Sequence, residues 1–287
     1  MTIRTPPGWG LEILNRAFHQ LGSQQPNEYW HRDTTSKVMP GVRKLRMAHL
    51  VDALRRGAQD FGACRTDVIF LCAIYPLIGL LMARLAFGYQ MLPLLFPLAS
   101  GFALVGPLAA VGLNEMSRRR EQEDDTTWVH AFGVLRSPAL GRIALLGMIL
   151  IVTFLLWLFA AQTIYSATLG PEPPVSATQF VHDVLATPAG WTMIAVGVGV
   201  GFLFAVFAMT ISVVSFPMLL DRDVSLEVAI RTSILTVAAN PGVMAAWGLI
   251  VTAALIVGSL PALVGLVVVL PILGHATWHL YRYAVPR

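Results

Sequence analysis

His275 and His279 stand four residues apart near the C-terminal end of the chain, with Gly274, Thr277 and Trp278 around them. That spacing puts both imidazoles on one face of a helix, where two nitrogen ligands could share a Zn or Cu ion. They could not be the two axial ligands of one haem, which approach the iron from opposite sides, although either could ligate a haem alone. A structural role stands beside this chemistry. With Trp278, Tyr281 and Tyr283, the pair could belong to the aromatic belt of a membrane interface.

Two charge clusters are the other candidates. One is Asp221-Arg222-Asp223; the other is Arg118-Arg119-Arg120, followed by Glu121, Glu123, Asp124 and Asp125. Each could form a lipid-headgroup site or simply neutralise charge at a helix end, where exposed pairs are worth little. The basic half of the arginine run should attract anionic lipid at about 1 kcal/mol per residue near the surface. Gly197-Val198-Gly199-Val200-Gly201 lacks the strand-to-helix setting of a nucleotide fingerprint; Gly197 and Gly201 instead have the spacing that lets helices approach closely. No nucleophile elbow, metalloprotease helix, phosphate loop or haem-attachment motif occurs. The sequence therefore predicts no enzymatic activity and no bound cofactor, the histidine pair being the one place where a metal could sit.

The elements that must carry these residues are membrane helices. Of 287 residues, 56 % are hydrophobic and 13 % charged, and the mean hydropathy is +0.67. Charged content is about half that of a soluble domain. Runs of the length needed to cross the hydrocarbon core fall at 68–88, 91–113, 143–166, 191–216, 243–258 and 262–281, so about six spans are expected. The short breaks at Gly88-Tyr89-Gln90 and Gly258-Ser259-Leu260-Pro261 predict tight antiparallel hairpins. Ten of the 20 Lys and Arg precede the first run, and the 24-residue loop 167–190 has none. By the excess of basic residues on cytoplasmic flanks, both termini are expected in the cytoplasm. No cleavable signal peptide is expected, which makes the first span an uncleaved anchor. Cys64 and Cys72 read as packing residues.

Each hairpin is preceded by a short amphipathic stretch, giving three units of elbow helix plus hairpin. In the first, Leu50, Leu54, Gly57, Ala58 and Phe61 share one face and Asp52, Arg55, Arg56, Gln59 and Asp60 the other. Trp128 to Leu135 forms the middle copy, and Leu226, Ile230, Ser233, Ile234 and Val237 the third. Pro107, Pro217 and Pro271 recur in the second helix of each hairpin, where neighbours must satisfy the backbone groups a proline frees. Two interfacial helices are expected besides, at 9–22 and around Phe180 to Leu185. The fold class is thus an all-α polytopic membrane bundle. Residues 1–42 form a polar cytoplasmic segment and 43–287 the six-helix membrane domain. No Asp, Glu or Lys falls in the middle of a span, which argues against an ion-coupled transporter.

The strings LNEMSRRRE at 113–121, SVVSFPMLLDRDV at 212–224, AANPG at 238–242 and LPILGHATWHLYR at 270–282 resemble a family of predicted bacterial, chiefly proteobacterial, inner-membrane proteins. The resemblance runs over roughly residues 43–284. The family carries only a domain-of-unknown-function label, and some members are labelled cytochrome c oxidase subunits. It implies an inner-membrane location and, if that label applies, an accessory or assembly role, since the chain lacks the intramembrane histidines of an oxidase catalytic subunit. The expected function is a non-catalytic accessory, assembly or scaffold protein of a membrane complex. The alternative is a carrier or a protein that handles lipid or hydrophobic small molecules. Expected partners are the bilayer, anionic lipid on its cytoplasmic face, and other membrane subunits, but no nucleic acid.

Overall fold

The computed structural model describes residues 39–72, 84, 92–122, 128–261 and 263–286. A strap without regular secondary structure, 39–46, leads into α1 (Met47–Cys72). After a 3-10 turn at Leu92–Leu94 come α2 (Leu95–Ala109) and α3 (Val111–Glu121), then a 3-10 helix at Trp128–Arg136. The chain continues with α4 (Leu140–Thr168), α5 (Ala177–Ala186), α6 (Pro188–Ser212) and α7 (Ser215–Asp221). It closes with α8 (Leu226–Ala239), α9 (Pro241–Ser259) and α10 (Leu266–Ala284). No β-strand occurs among the described residues.

Four helical stretches among the described residues are long and apolar enough to cross a membrane: Leu92–Glu121, Leu140–Thr168, Pro188–Asp221 and Pro241–Ser259. The expected span at 68–88 lies mostly outside the described residues, as does the expected helix at 9–22. The expected span at 262–281 is helical as α10 but is not among the four. Its second half carries His275, His279 and Arg282, which offset the apolar run Leu266–Leu270. The stretch from Trp128 to Leu135, expected as a middle amphipathic helix, lies in a 3-10 rather than an α-helix. At 1.5 Å per residue the first three stretches exceed the ~30 Å hydrocarbon core by two or more turns. The surplus ends of the first and third are α3 and α7, where charged residues cluster.

Local chemistry sets the helix boundaries. Ser176, Thr187 and Ser225 each accept a backbone N–H at the start of α5, α6 and α8, and Pro188 and Pro241 open α6 and α9, where a missing N–H costs nothing. α4 packs between α2 and α6. Trp157 of α4 donates its indole N–H to the Pro97 carbonyl and Ser100 hydroxyl of α2. Its ring lies against Gly201, where an added Cβ would come within 3.0 Å. Gly201 is thus a close-approach site as its spacing suggests, whereas Gly197 faces open space.

The break between α6 and α7 has a clear cause. Pro217 cannot donate to Val213, four residues earlier, and its ring crowds that carbonyl. The break at Val213-Val214 is stitched by the neighbouring helix. The Ser233 hydroxyl of α8 donates to the Thr210 carbonyl at 2.7 Å and accepts the Val214 N–H at 3.3 Å. It thereby replaces the Val214-to-Thr210 bond of an unbroken helix. Ser215 likewise bridges to the Ala229 carbonyl of α8 at 3.1 Å. Ser233 is fully buried, so Ser233→Ala strands two polar groups at about 1–3 kcal/mol each. A drop in the thermal midpoint of the detergent-solubilised protein, followed by tryptophan fluorescence, is expected; an unchanged midpoint would show that the stitch is dispensable.

Candidate functional site

α1 and α10 pack against each other more extensively than any other pair, and the approach is close because Gly57 has no side chain. A Cβ there would lie 2.6 Å from the Ile272 carbonyl oxygen and 2.7 Å from the Ala276 nitrogen. On the far side of α10, Gly274 does the same for α3, where a Cβ would meet Leu113 at 2.6 Å. Three helices are thus drawn together around one small set of polar side chains.

Asp60 of α1 is its centre. One carboxylate oxygen accepts the Ser117 hydroxyl at 2.6 Å and contacts His279 Nε2 at 2.9 Å, while the other accepts from Arg120 at 2.7 Å. Ser117 has one hydroxyl proton, and it goes to Asp60. The 2.8 Å contact between Ser117 Oγ and His275 Nδ1 is therefore made by an Nδ1–H donating to the hydroxyl, which leaves Nε2 of His275 as a bare acceptor. Nε2 is buried without a hydrogen-bond partner among the described residues. Asp60, expected on the outward polar face of the first elbow, is instead buried on the face with Leu50, Ala53 and Gly57. Partners on α3 and α10 make that burial tolerable.

The remaining charges extend the layer outward. Glu115, 3 % exposed, pairs with Arg118 and Arg119 at 2.7 and 2.8 Å. Asp221 accepts the Tyr281 hydroxyl at 2.6 Å and pairs with Arg282 at 3.0 Å and, more loosely, with Arg222 at 3.7 Å. Arg282 also reaches Glu121 at 3.0 Å and lies over the Trp278 ring. Asp223 pairs with Arg142 at 2.7 Å. At the edge, Tyr283 donates to Asp52, which also binds Arg56 at 2.7 Å, and stacks on His49. All eight candidate residues read from the sequence thus lie in ion pairs or hydrogen bonds. His275, His279 and Arg120 meet around Asp60; Arg118 and Arg119 meet on Glu115; Asp221 and Arg222 meet each other, and Asp223 stands apart on Arg142. The sequence reading missed Asp60, Ser117 and Arg282 as members. Their partners are remote in the chain, and the only local signal was Asp60 at i+3 from Gly57, three residues along the buried face.

The two histidines do share a helix face, but their engaged nitrogens have different partners, Ser117 for one and Asp60 for the other. No group of three or more His, Cys, Asp or Glu side chains among the described residues is placed to hold a metal ion. Nor is this a hydrolytic triad, in which a histidine stands between acid and hydroxyl. Here the carboxylate takes the serine proton directly, in a setting where Ser117 is 2 % exposed. The arrangement fastens helices together.

Burial pushes the Asp60 carboxyl up, but the hydrogen bonds from His279 and Ser117 outweigh it and hold the group below its ordinary value. The unfolded chain therefore binds the Asp60 proton more readily than the folded one. The stabilisation is complete above about pH 4, the ordinary aspartate value, and fades as pH falls through the lower folded value. Melting followed from neutral pH into this acid window should give a weaker pH dependence in Asp60→Asn than in the parent. Parallel curves would remove Asp60 from the account.

Long apolar helices joined to an ion-paired layer define the class, a predicted integral membrane protein. Residues 95–221, from the start of α2 to the end of α7, match the family model described as "Predicted integral membrane protein (DUF2189)". The match takes in Ser117, the arginine run and Asp221 but stops short of Asp60, His275 and His279, and is narrower than the resemblance at 43–284. No curated protein and no solved structure matches the chain.

Proposed function

We propose that the protein is a non-catalytic scaffold or accessory subunit of a larger membrane complex, in the inner membrane of a bacterium. A respiratory oxidase is the partner that the sequence resemblance singles out. One observation carries this reading. Around Asp60 the described side chains able to do acid–base or nucleophilic chemistry are tied to one another, save for Nε2 of His275, whereas α6 and α9 turn most of their surface outward. Only 11 % of the apolar window of the span that includes α6, and 17 % of that of α9, is buried. Such faces suit lateral contact with other membrane helices, for which van der Waals packing is the driving force.

Gentle detergent extraction, affinity purification, mass spectrometry of co-purifying chains and an absorption spectrum test it together. Stoichiometric recovery of other membrane subunits is the expected result. A solitary, colourless protein would sink the proposal and favour lipid or small-molecule handling, to which the Pro217 break is a structural pointer, since broken helices often line transport sites.

A further inference from the structure

The arginine run expected to bind lipid is tied up internally, Arg118 and Arg119 on Glu115 and Arg120 on Asp60. The exposed basic residues without a carboxylate partner, among the described residues, include Arg43, Arg46 and Arg55, on the strap and on α1. Across residues 43–56 the only acidic group is Asp52, already engaged by Arg56 and Tyr283. Beside these bases, Met47 and Val51 are 54 % and 68 % exposed. With Arg55 and Ala58 they follow at helical spacing on the face turned away from α10.

Hydrogen bonds fix the depth of this face. Asn240 accepts the Leu45 N–H at 2.7 Å and donates to the Arg43 carbonyl at 3.2 Å, and Lys44 caps the end of α8 at the Ala239 carbonyl, 2.6 Å away. Asn240 is the residue immediately before α9, whose 19 residues span about 28 Å at 1.5 Å each, close to the ~30 Å hydrocarbon thickness. The strap is thereby held at the headgroup level, with Met47 and Val51 one to two turns along.

We infer that the outward face of α1 is an anionic-phospholipid contact. Met47 and Val51 enter the acyl boundary, and Arg43, Arg46 and Arg55 lie on headgroup phosphates. Apolar residues flanked by bases on a helix at the interface bind in this way, hydrophobic area and charge adding. The inference stands apart from the scaffold reading, since it concerns lipid rather than protein contact.

The test uses the full chain with Cys64 and Cys72 replaced by Ser, carrying Val51→Cys labelled with an NBD fluorophore. It is reconstituted into phosphatidylcholine vesicles with or without phosphatidylglycerol. Blue-shifted emission, quenched by doxyl-labelled lipid and more strongly with phosphatidylglycerol, is expected. Adding Arg46→Gln and Arg55→Gln, which break no side-chain hydrogen bond or ion pair among the described residues, should lower the preference for anionic vesicles by roughly fivefold per residue. Water-like emission in both lipids would overturn the inference. So would blue emission without doxyl quenching, which means a protein covers the face, and so would quenching indifferent to phosphatidylglycerol and to the arginine changes. A Leu249→Cys label on exposed α9 reports whether reconstitution succeeded.

Discussion

Replacing Asp60 by Ala is expected to lower the stability of the folded protein by about 1–3 kcal/mol, the cost of leaving buried polar groups without their acceptor, since the Arg120 side chain is 40 % exposed and can turn to water. The size follows from how many groups the carboxylate serves. Arg120 loses its acceptor, His279 loses its contact, and the Ser117 proton has only the bare lone pairs of its surroundings to find. Asp60→Asn keeps an oxygen acceptor while losing the charge, so it should fall between the parent and Ala. Thermal or SDS denaturation of the detergent-solubilised protein reads the difference. A double-mutant cycle with His279→Ala separates the pair from the rest of the layer, because groups sharing one network fail to add. Single and double variants that add independently would mean that Asp60 and His279 do not cooperate.

The second large effect is steric. Gly57→Ala places a methyl group within 2.6 Å of the Ile272 carbonyl oxygen and 2.7 Å of the Ala276 nitrogen. Backbone atoms cannot rotate away, so α1 and α10 must separate. Overpacking of this kind costs about 1–3 kcal/mol, and Gly57→Leu should prevent α1 from docking altogether. The same helix supplies its own control. Gly62 faces open space, and Gly62→Ala should be neutral or stabilising by up to about 1 kcal/mol, the helix-propensity gain. Equal midpoints for the two alanine variants would mean that the close approach does not matter. Separation should also carry Asp60 away from His279, so Gly57→Ala ought to flatten the acid dependence of melting as Asp60→Asn does.

The sequence was most informative where one element determines its own boundaries. Hydropathy placed a span at 143–166, and α4 runs Leu140–Thr168; it placed another at 243–258, and α9 runs Pro241–Ser259. The amphipathic stretch from Leu226 to Val237 is helical as α8, capped by Ser225. What escaped is pairing at a distance. Ser117 and His279 lie 57 and 219 residues from Asp60, and helical periodicity says nothing about which faces meet. For the same reason Asp60 was sorted with Asp52 and Arg56 on the polar side. A rule that turns charges outward fails where a neighbouring helix brings the counter-charge. The arginine run poses the complementary problem: three bases in a row look alike in the sequence, and which carboxylate each one meets, Glu115 or Asp60, depends on the neighbouring turn and on a remote helix.

One feature of the connectivity bears on how the protein is made. The first described helix packs on the last, and the strap ahead of it is pinned to Asn240 and, through the Arg43 N–H, to the Ala284 carbonyl. A ribosome releases α1 some two hundred residues before α10 exists. The middle helices can pair as they are inserted, and Ser117 and Arg120 of α3 follow Asp60 early, but its third partner, His279 of α10, emerges last. The polar layer therefore closes only at the end of synthesis, and a chain stopped anywhere before His279 would leave the membrane-insertion machinery with Asp60 still lacking one of its ligands.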